Sequence, residues 1–225
     1  MDRRCALRGL ALLAAWGLSG ALHAGAAPPA VAGRVSWLAG RTTLQAADGV
    51  REPARPNLPV AAGDTLVTDG YARAEVWIGS TALRLDAAST LRVSALDDTR
   101  RAFALDAGSL ALRVDDDADA HRSAIETALG RFVPQQSGAW RVDLRHDGID
   151  ATALRGGLRF EGFGTRVTVL GGQRAHLRRE GAGLRITFDA APRDDFAAFV
   201  DARDRDAAGL HATGDVERRP LAAKR

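Results

Sequence analysis

The 225-residue chain holds one cysteine, one methionine and one tyrosine. The cysteine is Cys5, ahead of an apolar run. Beyond that run there is no thiol, which excludes disulfides, thiolate nucleophiles and cysteine metal ligands from the rest of the chain. Cys5 precedes the apolar run instead of following it, so the lipoprotein arrangement is absent too. Lysine is nearly missing as well: Lys224 is the sole one, and arginine carries the positive charge. The formal net charge is only +3, with signs interspersed. The pairs Arg100-Arg101, Arg178-Arg179 and Arg218-Arg219 fall at strand ends or in the tail. The electrostatic footprint of a nucleic-acid binder is therefore missing.

The motifs of common catalytic centres are missing in the same way. Past the N-terminal run there is no Gly-x-Ser-x-Gly elbow, no Ser-x-x-Lys and no His-Glu-x-x-His. His121, His146, His176 and His211 are assigned to a loop, a turn, a strand and a tail, none with a partner at ligand spacing. Asp97-Asp98 and Asp194-Asp195 are sequence neighbours at a turn and a helix start; a carboxylate pair assembled by the fold would leave no mark in sequence. The acidic stretch Asp115 to Ala120 lacks the alternating ligands and distal Glu of a calcium loop, so it is expected to be a solvated loop. The glycines from Gly162 to Gly172 are not followed by Gly-Lys-Ser/Thr or a helix, which excludes a phosphate loop. The expectation is a non-enzymatic chain with no catalytic residues, cofactor or metal.

What is present begins with a secretory layout. Arg3, Arg4 and Arg8 lead the apolar run Gly9 to Leu22, and Ala24-Gly25-Ala26 supplies small residues for cleavage. A membrane anchor needs roughly 20 apolar residues, and this run is bounded by Arg8 and His23. Residues 1–26 are expected to be a signal peptide and 27–32 a linker. The mature chain would then carry +1, and contact with a membrane would come only through an uncleaved signal.

The organising stretch runs from Gly63 to Val114. Apolar residues alternate with polar ones at Ala72, Ala74, Val76 and Ile78, then Leu83 and Leu85, then Leu91 and Val93, then Phe103 and Leu105, then Leu110, Leu112 and Val114. A period of two sends successive side chains to opposite faces, so each run reads as a half-buried strand. Turn residues recur about every ten positions, the spacing of an all-β domain. Gly33 to Gln45 reads as a hairpin turning at Ala39-Gly40, with Val35, Trp37 and Leu44 inward. Ala46 to Pro59 carries three prolines and reads as an irregular crossing segment. Strands resume from Ser123 and continue to a last one marked by Leu184, Ile186 and Phe188. The β domain is assigned to residues 33–190.

The period changes after Pro192. Asp194-Asp195 offers a cap, and Phe196, Phe199 and Val200 stand at i, i+3 and i+4, predicting one short helix over 191–209 that docks on the β domain and stops at Gly209. Residues 210–225 are polar and unpatterned, and a disordered tail is expected. Trp77 is out of phase with Ala74, Val76 and Ile78, so it faces the other side of its strand. It is either an exposed docking residue or the second apolar layer of a strand buried on both faces. Trp77, with Arg84 and Arg92, forms the candidate surface docking set.

The block from Gly33 to about Leu177 resembles the FecR-like domain. The residues that carry this are Gly33-x-Val35, Gly63-Asp64-x-Leu66-x-Thr68, Ala72-x-Ala74-x-Val76, Gly79-Ser80-x-x-Leu83-Arg84-Leu85, Ser89-x-Leu91, Gly108-x-Leu110 and Gly171-Gly172-Gln173. The stretch from Asp194 through Phe196 and Phe199 to Arg203-Asp204-Arg205 is similar to a helix that follows this module in secreted relatives. The resemblance implies a twisted β-roll or solenoid-like stack of short strands, with a β-sandwich as the alternative. It implies a periplasmic or secreted module that senses or binds another envelope protein and has no catalytic residues. No cytoplasmic segment stands ahead of the apolar run, so only the sensing or docking half of the regulator's role is expected. The alternative is a module that binds cell-wall glycan or peptidoglycan through Trp77 and neighbouring arginines.

Overall fold

A computed structural model describes residues 31–217 of the chain. Residues 1–30, where a signal peptide and most of a linker are expected from the sequence, and residues 218–225 of the expected tail lie outside the described residues. The strands in chain order are β1 (Gly33–Ala39), β2 (Thr42–Gln45), β3 (Arg51–Pro53), β4 (Pro59–Val60), β5 (Thr65–Thr68), β6 (Arg73–Ile78), β7 (Thr81–Leu85), β8 (Thr90–Leu96) and β9 (Arg101–Ala107). They continue with β10 (Ser109–Val114), β11 (Ser123–Thr127), β12 (Gly130–Pro134), β13 (Gly138–Arg145), β14 (Gly148–Arg155), β15 (Leu158–Gly162), β16 (Thr165–Val169), β17 (Gln173–Glu180) and β18 (Gly183–Ala190). Two helices interrupt and close them: α1 (Asp117–Arg122) and α2 (Asp195–Glu217).

The strands form two nine-stranded sheets that do not close into a barrel. The first has the order β18-β17-β14-β13-β10-β7-β6-β1-β4, the second β16-β15-β12-β11-β9-β8-β5-β2-β3. The chain winds between them, laying β6–β7 in the first, β8–β9 in the second, β13–β14 in the first, β15–β16 in the second and β17–β18 in the first. Pairing is antiparallel except between β9 and β11. The period-two alternation builds the interior, as expected of an all-β domain. Val35, Val76, Leu83, Leu110, Trp140 and Val142 of the first sheet meet Leu66, Leu91, Phe103, Phe132 and Phe160 of the second in one core cluster. Phe132 and Phe160 lie 5.0 Å apart between ring centroids. Each such fully buried side chain stabilises the fold by roughly 1.5–3 kcal/mol.

Four local readings are corrected by the structure. Residues 33–45 are not a hairpin: β1 pairs with β6 and β4, whereas β2 pairs with β5 and β3. The Gly40 turn is a corner from one sheet to the other. Trp37 does not point inward, because a bulge between Val35 and Trp37 turns the following side chain to the outer face, against Phe199. The acidic stretch forms the short helix α1, in which Asp116 caps the N-terminus and Asp119 bonds Ser80 and pairs with Arg101 at 2.8 Å instead of facing solvent. Helix α2 does not stop at Gly209 but runs to Glu217. A glycine inside a helix costs only about 1 kcal/mol, and no proline intervenes before Pro220.

Candidate functional site

Many outward residues of the first sheet are charged, and helix α2 lies over those on β6, β7, β10 and β13. Outward positions alternate with core positions, which places Arg73, Glu75 and Trp77 on β6, Arg84 on β7, Arg113 on β10, and Arg141 and Asp143 on β13 in one field. Asp194 starts the helix by accepting the Ala197 amide at 2.9 Å. The first turns are apolar: Phe196 and Val200 are buried against Ala111, with Leu154 and Phe199 alongside. Phe199 packs against Trp37 with ring centroids 5.1 Å apart and planes tilted by 39°, and the Arg141 guanidinium sits 4.9 Å from the Phe196 ring centroid.

The later turns are held by charge. Glu75 is 1 % exposed; it accepts from Arg84 at 2.8 Å, Arg203 at 2.9 Å, Ser36 at 2.7 Å and the Trp77 indole at 3.0 Å. Asp204 pairs with Arg84 at 2.6 Å and with Arg113 at 3.0 Å. Arg141 joins Asp143 at 2.8 Å and Asp194 at 2.7 Å. Burial raises the Glu75 carboxyl, but hydrogen bonds from Arg203, Arg84 and Ser36 outweigh it and hold its pKa at about 2. Arg141 holds Asp194 below the usual carboxylate range. Glu75 and Asp194 are thus ionised, arginine-bound clamps, and ionised acids have no proton to donate.

Among the described residues, no group of three or more His, Cys, Asp or Glu is placed to hold a metal ion. A groove of about 850 Å³ runs beside α2, lined by Leu154, Ala190, Ala191, Pro192, Ala197 and Asp201 among others. Among the described residues its wall presents no nucleophile beside a base.

The docking set predicted from sequence does not come together. Arg84 is 1 % exposed and sealed beneath α2, so it is not a surface residue. Trp77 is half-buried with its indole tied to Glu75. Arg92 is exposed, but it lies on β8 of the other sheet and pairs with Asp106 at 3.7 Å. Glu75, Arg203 and Asp204 carry the seam, and sequence reading did not single them out as partners. The signal available was a charged outward face opposite a helix carrying both signs.

Beyond α2 the outward face continues over β14, β17 and β18. Asp150 binds His176 at 2.8 Å and Arg178 at 2.8 Å, while Asp189 binds Arg174 at 2.7 Å and the second His176 nitrogen at 3.1 Å. Hydrogen bonds from Arg174 and His176 hold Asp189 below the usual carboxylate range. This ladder fastens β18 to β17, and among the described residues no strand pairs with the other edge of β18.

The two ends of the sandwich differ. At one end the edge strands are β4, two residues with Pro59, and β3, three residues with Pro53. Short strands and prolines block edge pairing. At the other end the edges are β16, five residues, and β18, eight residues paired to β17 along its whole length without a bulge or proline. Leu170 and Phe188 stand exposed there.

No family model and no curated protein matches the chain. Solved structures do share its fold. Two crystal structures described as a "putative anti-sigma factor" from Parabacteroides distasonis, at 1.65 and 2.50 Å, are similar with a TM-score of 0.51 and 10% and 11% identity. Each likeness covers 60% of this chain, and 64% and 63% of the respective neighbours. At that identity the likeness is one of fold.

Proposed function

We propose that the chain is an exported FecR-like module that senses or docks on another envelope protein by contact and performs no chemistry of its own. The surface it uses is the open end of the sandwich. The observation that carries this reading is the contrast between the ends: one is blocked by short, proline-bearing strands, while β18 offers eight regular residues with no protecting device. A partner adds a strand to that edge through backbone hydrogen bonds, which explains the lack of a side-chain signature in the sequence. The fold likeness to proteins described as anti-sigma factors fits a regulatory role. The secretory layout of the N-terminus fits a periplasmic or secreted location. A glycan platform on Trp77 and Arg84 loses its support, since Arg84 is sealed beneath α2 and the Trp77 indole N–H is tied to Glu75.

The test is affinity capture from envelope extracts with the wild-type protein and with Phe188→Pro. Phe188 is half-exposed and its amide points away from β17, so proline there removes an edge donor and leaves the β17 ladder intact. The wild type is expected to retain a specific protein that the variant loses. Capture of nothing specific, or equal capture by both, would refute the reading.

A further inference from the structure

The free edge of β18 is self-complementary, and we infer that the partner strand it takes is β18 of a second copy of this chain. This inference rests on the reading of that edge as a docking surface and adds that a second copy occupies it when the envelope partner does not.

The direction of the backbone groups follows from the hairpin. β17 and β18 are joined by the two-residue turn Gly181-Ala182, with Glu180 opposite Gly183 and Gly181 at φ +58°. A two-residue turn with glycine at its first position makes the flanking pair a hydrogen-bonded one. Hydrogen-bonded and non-bonded pairs then alternate, so Gly183, Arg185, Thr187 and Asp189 turn their amides and carbonyls toward β17. The Ala191 amide donates to the Gly172 carbonyl at 3.0 Å, in the same phase. Leu184, Ile186, Phe188 and Ala190 therefore aim their backbone groups at the open edge.

Two antiparallel copies of β18 centred on Thr187 satisfy all of these groups. Ile186 of each copy lies opposite Phe188 of the other as a hydrogen-bonded pair, and Leu184 lies opposite Ala190. The core-side row then sets Ile186 against Phe188, covering a ring that is 46% exposed. The outward row sets Arg185 against Asp189, twice by symmetry, with Thr187 against itself on the two-fold axis. Opposite charges and apolar pairs at directly opposed positions both stabilise a strand pair. A shift by one residue would bring core-side positions opposite outward ones, and a shift by two or more would undo the charge match. Helix α2 does not obstruct this edge, because the chain turns back at Ala191 and the helix contacts residues on β1, β6, β7, β10 and β13. The interface is isologous, as a two-fold dimer requires.

Cross-linking tests the register. The self-opposed Thr187 residues form a non-hydrogen-bonded pair with Cα atoms about 4.5 Å apart, within the disulfide range of about 4.4–6.8 Å. In a Cys5→Ser background, Thr187→Cys is expected to give a disulfide-linked dimer on mild oxidation. Arg185→Cys and Asp189→Cys are not, since each lies more than about 13 Å from its own symmetry mate. Sedimentation velocity should show the wild type at twice the protomer mass. Asp189→Arg and Arg185→Asp should each raise the dimer dissociation constant about tenfold by opposing like charges. Mixing these two variants should restore association as a heterodimer. Failure of the mixture to associate, or equal cross-linking at all three positions, would overturn the inference. A wild type that is monomeric and leaves Thr187→Cys uncrosslinked, yet still captures a protein that Phe188→Pro loses, would refute the second copy and leave the docking reading standing.

Discussion

Glu75 sits where β6, β7 and α2 meet, and its removal would strand two guanidinium groups. Taking away one partner of a buried pair costs about 3–5 kcal/mol, because the remaining charge is left in a poor solvent. Glu75→Ala is expected to lose stability in that range by urea unfolding. Arg55→Ala, at an exposed pair with Glu52, should change stability by less than about 0.5 kcal/mol. A similar loss in both variants would mean that the seam is well hydrated. The same residues mark the limit of sequence reading. Arg84 alternates with Leu83 and Leu85 as a solvent-facing residue would, and a polar strand face looks alike whether it meets water or an oppositely charged helix. Its second partner, Asp204, lies far along the chain, and nothing local announces the pairing. Val76, Leu83 and Leu110 were legible because burial on the core side needs only hydrophobicity and period.

Helix α2 is attached by few apolar contacts, and Phe196 is the most deeply buried aromatic among them. Phe196→Ala is expected to release the helix locally without unfolding the sheets. Hydrogen exchange over residues 195–209 should rise at least about tenfold while β10 and β13 stay protected, since local opening is governed by local contacts. Unchanged exchange in the helix would assign its attachment to the ion pairs alone. The start of this helix was legible at Asp194, whose side chain caps it, and in the spacing of Phe196, Phe199 and Val200. Its end was not, because a lone glycine is a weak stop. Trp37 was misplaced for a different reason: a one-residue bulge shifts the phase of every side chain beyond it, and the local sequence carries no sign of it.

For the whole molecule, the arginine clamps predict an acid limit. The Glu75 carboxyl has an ordinary value of 4.5 and is held at about 2 in the fold. A carboxylate lowered on folding stabilises the native state above its unfolded pKa, and that contribution is lost as pH falls through the folded value. Asp150, Asp194 and Asp189 are shifted in the same direction. Stability should therefore be flat near neutrality and decline between about pH 4.5 and 2, by an amount on the order of 3 kcal/mol from Glu75 alone. Circular dichroism against pH at fixed urea would measure this, and the decline should shrink in Glu75→Gln.

The prolines at positions 53 and 59 give the sandwich a head that refuses company and a tail that accepts it. Once the β18 edge of one copy is occupied by that of another, neither copy has that edge left to extend from. The assembly is then self-limiting: it stops at two and cannot extend into a filament, however high the concentration.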